Sequence, residues 1–424
     1  MNEKLLSRIM IILIFMIPWP VNGQNADKTG KPPARLGVIT INITPLTPVL
    51  MSGYAARTTP YTGINDSLYA SALFFTDEKT KILLITADLI GFSHEFVNDL
   101  KKTISGRINA PVENIVITAV HNHGGPVTRT YETDVPESVI NYVNDLKEKL
   151  VTAAVTASKK AVPFRLGVGK GTCNMNINRR QLYADGMVWL GKNPDAPCDH
   201  DVTVVKMEDM NNNLMAVLVN WPCHGTAGGQ ENYKITADWP GAAARYIKKQ
   251  AGHDIVVAVT AGASGDINPI YGPGDSFRDI EGTGFLVGTE AWKAMVSVKT
   301  FPVYSINTAN TSITFPGKTR DKDNFPQKTH EKGPDIDIML TGLKIGNLVI
   351  TGISGELMNE IGMEVKKQSP YNYTLIVTHC NGSSGYICTD KAYTEGGYEP
   401  RTSRLMPGIE KPLIKKFIEL IYSL

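Results

Sequence analysis

Apolar, β-branched runs alternate along the chain with stretches whose apolar residues recur every three or four positions. GVITIN (37–42), KILLITADLIG (81–91), IVITAV (115–120), MAVLVNW (215–221), IVVAVTA (255–261), NLVITGI (347–353) and TLIVTH (374–379) have the length and composition of strands. Most are apolar throughout rather than at alternate positions, which predicts strands covered on both faces. ESVINYVNDLKEKLVTAAVTASKKA (137–161) is the clearest amphipathic helix. Further helical patterns, at 239–250, 283–298 and 356–368, follow strands. Together they predict an α/β fold, with a mixed central β-sheet or sheets layered with helices in a single large domain. The polar stretch 317–336 reads as an exposed excursion, a lid or rim loop.

The start of the chain breaks this pattern. Lys4 and Arg8 precede nine apolar residues (9–17), and VNG (21–23) ends in a small residue. That is the layout of a cleaved export signal. A membrane span would need roughly 20 apolar residues, and Pro18 and Pro20 stop this run early. No cysteine follows the run to carry a lipid. The expected organisation is a signal peptide over 1–23, a polar, Pro-containing linker over 24–35 and one catalytic domain over 36–424. The mature protein is expected to be periplasmic or secreted.

Composition narrows the function classes. With 42% hydrophobic and 20% charged residues, the chain can bury a large core. The formal net charge is +2 and no basic run is interleaved with aromatics, which argues against a nucleic-acid partner. Beyond the signal, no segment predicts a membrane span. The five cysteines (173, 198, 223, 380, 388) lack zinc-finger spacing. One or two disulfides, or five buried thiols, both fit an exported chain.

The chemistry lies where the strands end. IVITAV runs into His121 and His123, VLVNWPC into His224, VVAVTAGASG into Asp266 and Asn268, LVITGISG into Glu356, and LIVTHCNGSSG into Tyr386. Carboxyl ends of strands in α/β sheets converge on one rim, where ligands bind. Two histidines two residues apart on extended backbone point the same way, so they can share a metal or serve as a ligand and its neighbour. The bland alternative is a solvated pair in a turn. His224 alone would be structural, and its matching position at a strand end makes it a candidate. Glu356 either joins the site or begins a helix, where a carboxylate is favoured. Asp88 either orients a histidine or caps the next helix. Two histidines, a carboxylate and one further donor suit zinc with an open position, which is the chemistry of amide or ester hydrolysis.

Seven ordered motifs carry a resemblance. ITPLTPVLMSGYAAR, HNHGGP, NWPCHGTAGG, ADWPGAAARYI, SGDINP, SGEL and CNGSSGYICTDKAYTEGGYE span roughly residues 36–405. In this order they resemble the neutral, non-lysosomal ceramidases, and the 176–209 region resembles an uncharacterised bacterial branch. The resemblance implies zinc held by His121, His224, Glu356 and Tyr386. It also implies that His123 holds the substrate or stabilises the oxyanion, and that Arg179 contacts the substrate. The implied substrate is a lipid or other small-molecule amide, met through transient contact with a membrane surface.

One position departs from the family pattern. Where ceramidases carry a serine two residues after the aspartate of the GD pair, this chain has Asn268 after Asp266. Asparagine is no nucleophile, and Ser264 lies four residues earlier, where it should face elsewhere. The expected mechanism is therefore attack by zinc-activated water, with His123, Arg179 and Asn268 holding the carbonyl and Asp266 or Asp238 orienting a neighbour. Two alternatives stay open: the same centre acting on a different amide or ester, and a non-catalytic binding protein on this scaffold.

Overall fold

Strands Tyr69–Thr76 and Lys81–Ala87 show how the layers arise. Ala70, Ala72, Phe74, Leu83 and Ile85 pack into one core, and Leu73, Phe75, Ile82 and Leu84 into another. Successive strand side chains point to opposite faces, so near-continuous apolar runs must be covered twice. A computed structural model describes residues 30–130, 134–272, 277–319 and 330–424. Pro33–Leu424 form one compact unit.

The larger sheet follows the path Val256–Ala261, Leu214–Trp221, Asp201–Asp209, Val162–Thr172, Arg35–Asn42, Tyr69–Thr76, Lys81–Ala87, Ile115–Ala119. Its pairs are antiparallel except Lys81–Ala87 with Ile115–Ala119 and Leu214–Trp221 with Val256–Ala261. A smaller sheet joins Ile306–Lys318, Lys332–Ile345, Leu348–Ile353 and Tyr373–Val377, with the last two strands parallel. The sheets pack face to face, with Leu73, Phe75, Leu84 and Phe164 against Leu343, Ile345, Leu348 and Leu375. Truncating Leu73 to alanine at this seam would cost about 2–5 kcal/mol.

Helices close both outer faces. His94–Ile108 and Glu137–Lys159 cover one half of the larger sheet, and Asp238–Ala251 and Phe277–Val296 the other. Asn359–Gln368 and Glu410–Tyr422 cover the smaller sheet. The result is a four-layer α/β/β/α arrangement, the mixed α/β fold the pattern predicts. Gly37 lets helix Glu137–Lys159 lie directly on the sheet, since a Cβ there would fall 1.9 Å from the Ala157 carbonyl oxygen.

Several expectations are corrected. Glu356 does not begin a helix: it lies in a two-residue strand, Glu356–Leu357, paired with Tyr386–Ile387, and the helix starts at Asn359. The two ends of the excursion at 317–336 are strand, belonging to the paired strands Ile306–Lys318 and Lys332–Ile345. Its centre, 320–329, lies outside the described residues, as does the expected signal peptide. The expected linker reaches into the fold: Ala34 is buried and its N–H donates to the Val303 carbonyl, and Arg35 opens the first strand. All five cysteines are free thiols.

Candidate active site

The strand ends meet where the two sheets join. The Asn381 N–H donates to the Ile117 carbonyl, the Thr378 N–H to Ala261, and the His123 N–H to Gly225. With the His379 N–H donating to the Gly355 carbonyl as well, these bonds bring together the ends of Ile115–Ala119, Leu214–Trp221, Val256–Ala261, Leu348–Ile353 and Tyr373–Val377. His121 leaves its strand with φ 59°, a left-handed conformation that costs free energy in a non-glycine residue. Its place in the cluster depends on that turn. His379 turns out of its own strand the same way, with φ 52°.

Backbone carbonyls fix the two ligand-type histidines. His121 Nδ1 lies 2.8 Å from the Ile90 carbonyl oxygen, and His224 Nδ1 lies 3.0 Å from that of Ile267. A carbonyl only accepts, so each Nδ1 carries the proton and each Nε2 a lone pair. Both Nε2 atoms face Glu356 Oε2 at 3.4 Å. That oxygen is buried and has no hydrogen-bond donor. A buried carboxylate oxygen facing two lone pairs is unfavourable unless a cation sits among them. Tetrahedral ligands at about 2.0–2.1 Å from a zinc ion stand roughly 3.3 Å apart, which this spacing matches. The residues therefore fit a zinc ion, with imidazole and carboxylate donors of the type zinc takes.

Two further imidazoles crowd the same point. His123 Nε2 lies 3.2 Å from His121 Nε2. The His379 ring stacks on His121 at 3.8 Å and nearly parallel. One ligand atom from each of His121, His123 and His224, and from each of His121, Glu356 and His379, falls within 4.8 Å of the others. Burial lowers the His224 imidazole to about 4, helped by the nearby Arg179 charge. It pushes His123 and His379 well below the usual histidine range. Neutral imidazoles are the form that binds a metal. Burial alone would raise the Glu356 carboxyl; only positive charge facing it holds the group well below the ordinary carboxylate range, a task that falls to a metal ion when the facing imidazoles are neutral.

Arg179 brings a guanidinium to the side chains of this cluster. It sits on strand Asn176–Leu182, which pairs with Ile267–Pro269 and so lies against the Asn268 segment. Its Nη1 is 3.3 Å from His224 Nε2 and 3.3 Å from Asn268 Oδ1, and its Nη2 donates to Tyr386 Oη at 3.1 Å. Glu399 holds it from behind: Arg179 Nε donates to Glu399 Oε1 at 2.7 Å, and Arg180 Nη1 to Oε2 at 2.8 Å. Glu399 is 1% exposed, and burial would raise its carboxyl, but the two guanidiniums keep it ionised. Burial, reinforced by the Glu356 charge, pushes the Tyr386 phenol well above its ordinary value despite Arg179. Any metal using this oxygen must accept a phenol or drive off its proton.

Of the sequence-predicted residues, His121, His123, His224, Glu356, Tyr386, Arg179 and Asn268 come together. Asp266 does not face the histidines: its carboxylate accepts from the Asn359 N–H at 2.8 Å and from Asn178 Nδ2 at 2.9 Å. It ties the Arg179 strand to the helix after Glu356, which is a positioning task. Asp88 neither caps a helix nor touches a histidine. Its side chain accepts from the Tyr69 N–H, Ser93 caps the helix, and Ile90 orients His121. Asp238 accepts from the N–H groups of Ala227 and Gly228, fixing the loop after His224, while Trp239 Nε1 donates to the His224 carbonyl at 2.9 Å. Arg57 staples the facing loops through the carbonyls of Ser52, His123 and Gly229. Gly53, at φ +97°, makes room for the His123 ring, which a Cβ would approach to 2.6 Å.

Sequence reasoning missed His379 and Glu399. His379 stands at a strand end like the others, so the rule that selected His224 applies to it equally. Glu399 had no such signal, because its role depends on two arginines more than 200 positions away.

The profile described as Neutral/alkaline non-lysosomal ceramidase, N-terminal, matches residues 35–276. Neutral ceramidase B of Dictyostelium discoideum is 26% identical over 289 residues, covering 62% of this chain and 40% of that protein. Neutral ceramidase of Drosophila melanogaster is 25% identical over 263 residues, covering 56% and 36%. The chain thus spans about two fifths of the length of these relatives. The crystal structure of neutral ceramidase from Pseudomonas aeruginosa superposes with a TM-score of 0.77 at 17% identity, covering 92% of this chain and 74% of that one. A structure described as ceramidase complexed with C2 gives 0.78 at 16%, covering 92% and 75%. The fold is shared with both, and with more than half its length matched by the profile, the chain belongs to the neutral/alkaline non-lysosomal ceramidase family.

Proposed function

We propose that this chain is an exported zinc-dependent hydrolase that cleaves the amide bond of an N-acyl lipid of the ceramide type. The observation that carries the reading is the facing of His121 Nε2, His224 Nε2 and Glu356 Oε2 at 3.4 Å, with both Nδ1 protons committed to carbonyls. These three residues and Tyr386 would hold the metal. Zinc at such a site supplies an acidified water and a Lewis acid.

The chain's own residues supply the rest. His123, Asn268 and Glu356 are the partly exposed members of the cluster, and of these His123 and Asn268 are free of the proposed metal and can meet an incoming carbonyl. Arg179 holds a fixed positive charge beside them, where a tetrahedral oxyanion develops charge. Asn268 can turn its amide N–H toward the same oxygen. His123, neutral by burial, can accept a proton and pass it to the leaving amine. With asparagine at position 268, that position supplies no side-chain hydroxyl, which leaves water as the nucleophile of this reading.

That same asparagine favours a second reading, in which the centre acts on a different amide or ester. One experiment separates them: metal analysis of the purified chain, then release of fatty acid from a short-chain ceramide beside simple N-acyl amides and esters. The expected result is stoichiometric zinc and ceramide cleavage that a chelator abolishes and zinc restores. Zinc with untouched ceramide would move the reading to the best substrate of the panel. A metal-free, inert protein would overturn both.

A further inference from the structure

His379 carries two local costs that packing alone leaves unexplained. It leaves strand Tyr373–Val377 in a left-handed turn, with φ 52°. Its Nε2 is buried and has no hydrogen-bond partner. An apolar side chain there would bring no polar atom to bury. The backbone nonetheless pins the residue beside the candidate ligands. Its N–H donates to the Gly355 carbonyl, next to Glu356, and its carbonyl accepts from the Ala119 N–H, two residues before His121. A ring nitrogen of His379 thus lies within 4.8 Å of a His121 ligand atom and of a Glu356 oxygen.

We infer that His379 and Glu356 form a second divalent-metal site beside the first, with Glu356 bridging two ions. This second site presupposes the zinc centre proposed above. The ring stacking is what points to two ions rather than one. The His379 and His121 rings lie 3.8 Å apart between centroids and 8° from parallel. An imidazole lone pair lies in the plane of its ring. An ion shared by two rings stacked this way would stand roughly 1.5–2 Å out of both planes, which in-plane bonds of about 2.0–2.1 Å do not allow. His379 therefore does not join His121 on one ion in this arrangement. Lone pairs in two parallel planes instead suit two ions about one ring spacing apart, and paired metal ions in hydrolases stand about 3.5–4 Å apart. Glu356 lies with both rings and has two oxygens to share between the ions. The protein gives the second ion one imidazole and one carboxylate oxygen, and its other positions fall to water and substrate. With fewer protein donors, it is held more weakly than the first. An ion there would set a second Lewis acid beside the scissile carbonyl.

The test is His379→Phe, which keeps a ring on His121 and removes the nitrogen. The full mature chain and the variant are stripped of metal with a chelator and titrated with Co2+. Calorimetry counts the ions, and electron paramagnetic resonance reports whether they are neighbours. The parent is expected to take two ions per chain, the second at least about tenfold more weakly. The resonance of the first should weaken as the second arrives, because ions about 4 Å apart couple magnetically. The variant is expected to take one ion, with the affinity of that step within about threefold of the parent's and circular dichroism unchanged. A parent that saturates with one ion would overturn the second site, and so would a variant that still takes two. A folded variant that takes none would put His379 on the first ion and overturn it as well. Two ions bound, with no amide cleaved by either protein, would keep the second site and overturn only the proposed activity. A parent that takes no metal would overturn both.

Discussion

The two parts of the chain that meet at the site contribute opposite chemistry. Residues 35–276, the stretch the family profile matches, bring His121, His123, His224, Asn268 and the guanidinium of Arg179. Residues 277–424 bring the carboxylates Glu356 and Glu399, the Tyr386 phenol and the stacked His379. The first part alone would place nitrogen donors and a buried guanidinium together without the carboxylates that face them, Glu356 and Glu399. The second would bury carboxylates without a partner. Buried charge of one sign is costly until the other arrives. The joint is therefore where the buried charges of the two parts are balanced. It is sewn by backbone bonds between the parts, such as the Gly265 N–H to the Leu357 carbonyl at 2.8 Å.

The harshest way to break the comparison is to remove the second part's candidate ligand. Glu356→Ala should abolish metal binding, as should His121→Ala from the first part. Activity should fall by at least about 10³-fold, more than the loss of a single oxyanion donor. Full zinc occupancy in either purified variant would refute the ligand assignment. Next comes the ionic tie behind the site. Glu399→Ala leaves Arg179 and Arg180 buried without their shared carboxylate, and should destabilise by about 3–5 kcal/mol in denaturant unfolding. An unchanged midpoint would mean the triad carries no such weight.

Asn268→Ala probes the first part at the substrate's door. Turnover should drop by about 10–100-fold with zinc content unchanged. A normal rate would take Asn268 out of the reaction. The mildest test keeps away from the joint. Burial, with Asp66 adding to it, raises the Asp88 carboxyl to about 7. The folded chain thus holds a proton that the unfolded chain releases from about pH 4 upward, so stability falls as pH climbs to about 7 and levels off above. Asp88→Asn should remove that slope and leave the protein more stable by about 1 kcal/mol at about pH 8. Parallel stability-versus-pH curves for the two proteins would dismiss the buried carboxyl as its source.

Much of the layering was legible in the chain because both-face burial forces near-continuous apolar strands. All seven predicted strands exist, and helix Glu137–Lys159 ends within two residues of its predicted limit. The pairing of Ile306–Lys318 with Lys332–Ile345 was not legible, since the first strand is polar at most positions and the stretch between the two is charged. Glu356 was misplaced into a helix because a carboxylate after Ser-Gly satisfies helix-start chemistry, and only pairing with Tyr386 draws it into a strand.

The sequence by itself determined which side chains stand at strand ends, because strand length and the glycines beyond it are local properties. It also determined that an asparagine holds position 268. Tertiary structure alone decided that His379 joins the cluster while Asp266 turns away, and that Glu399 locks Arg179. Those outcomes depend on how two sheets meet, and residues more than 200 positions apart become neighbours only when the buried faces of both sheets close on each other.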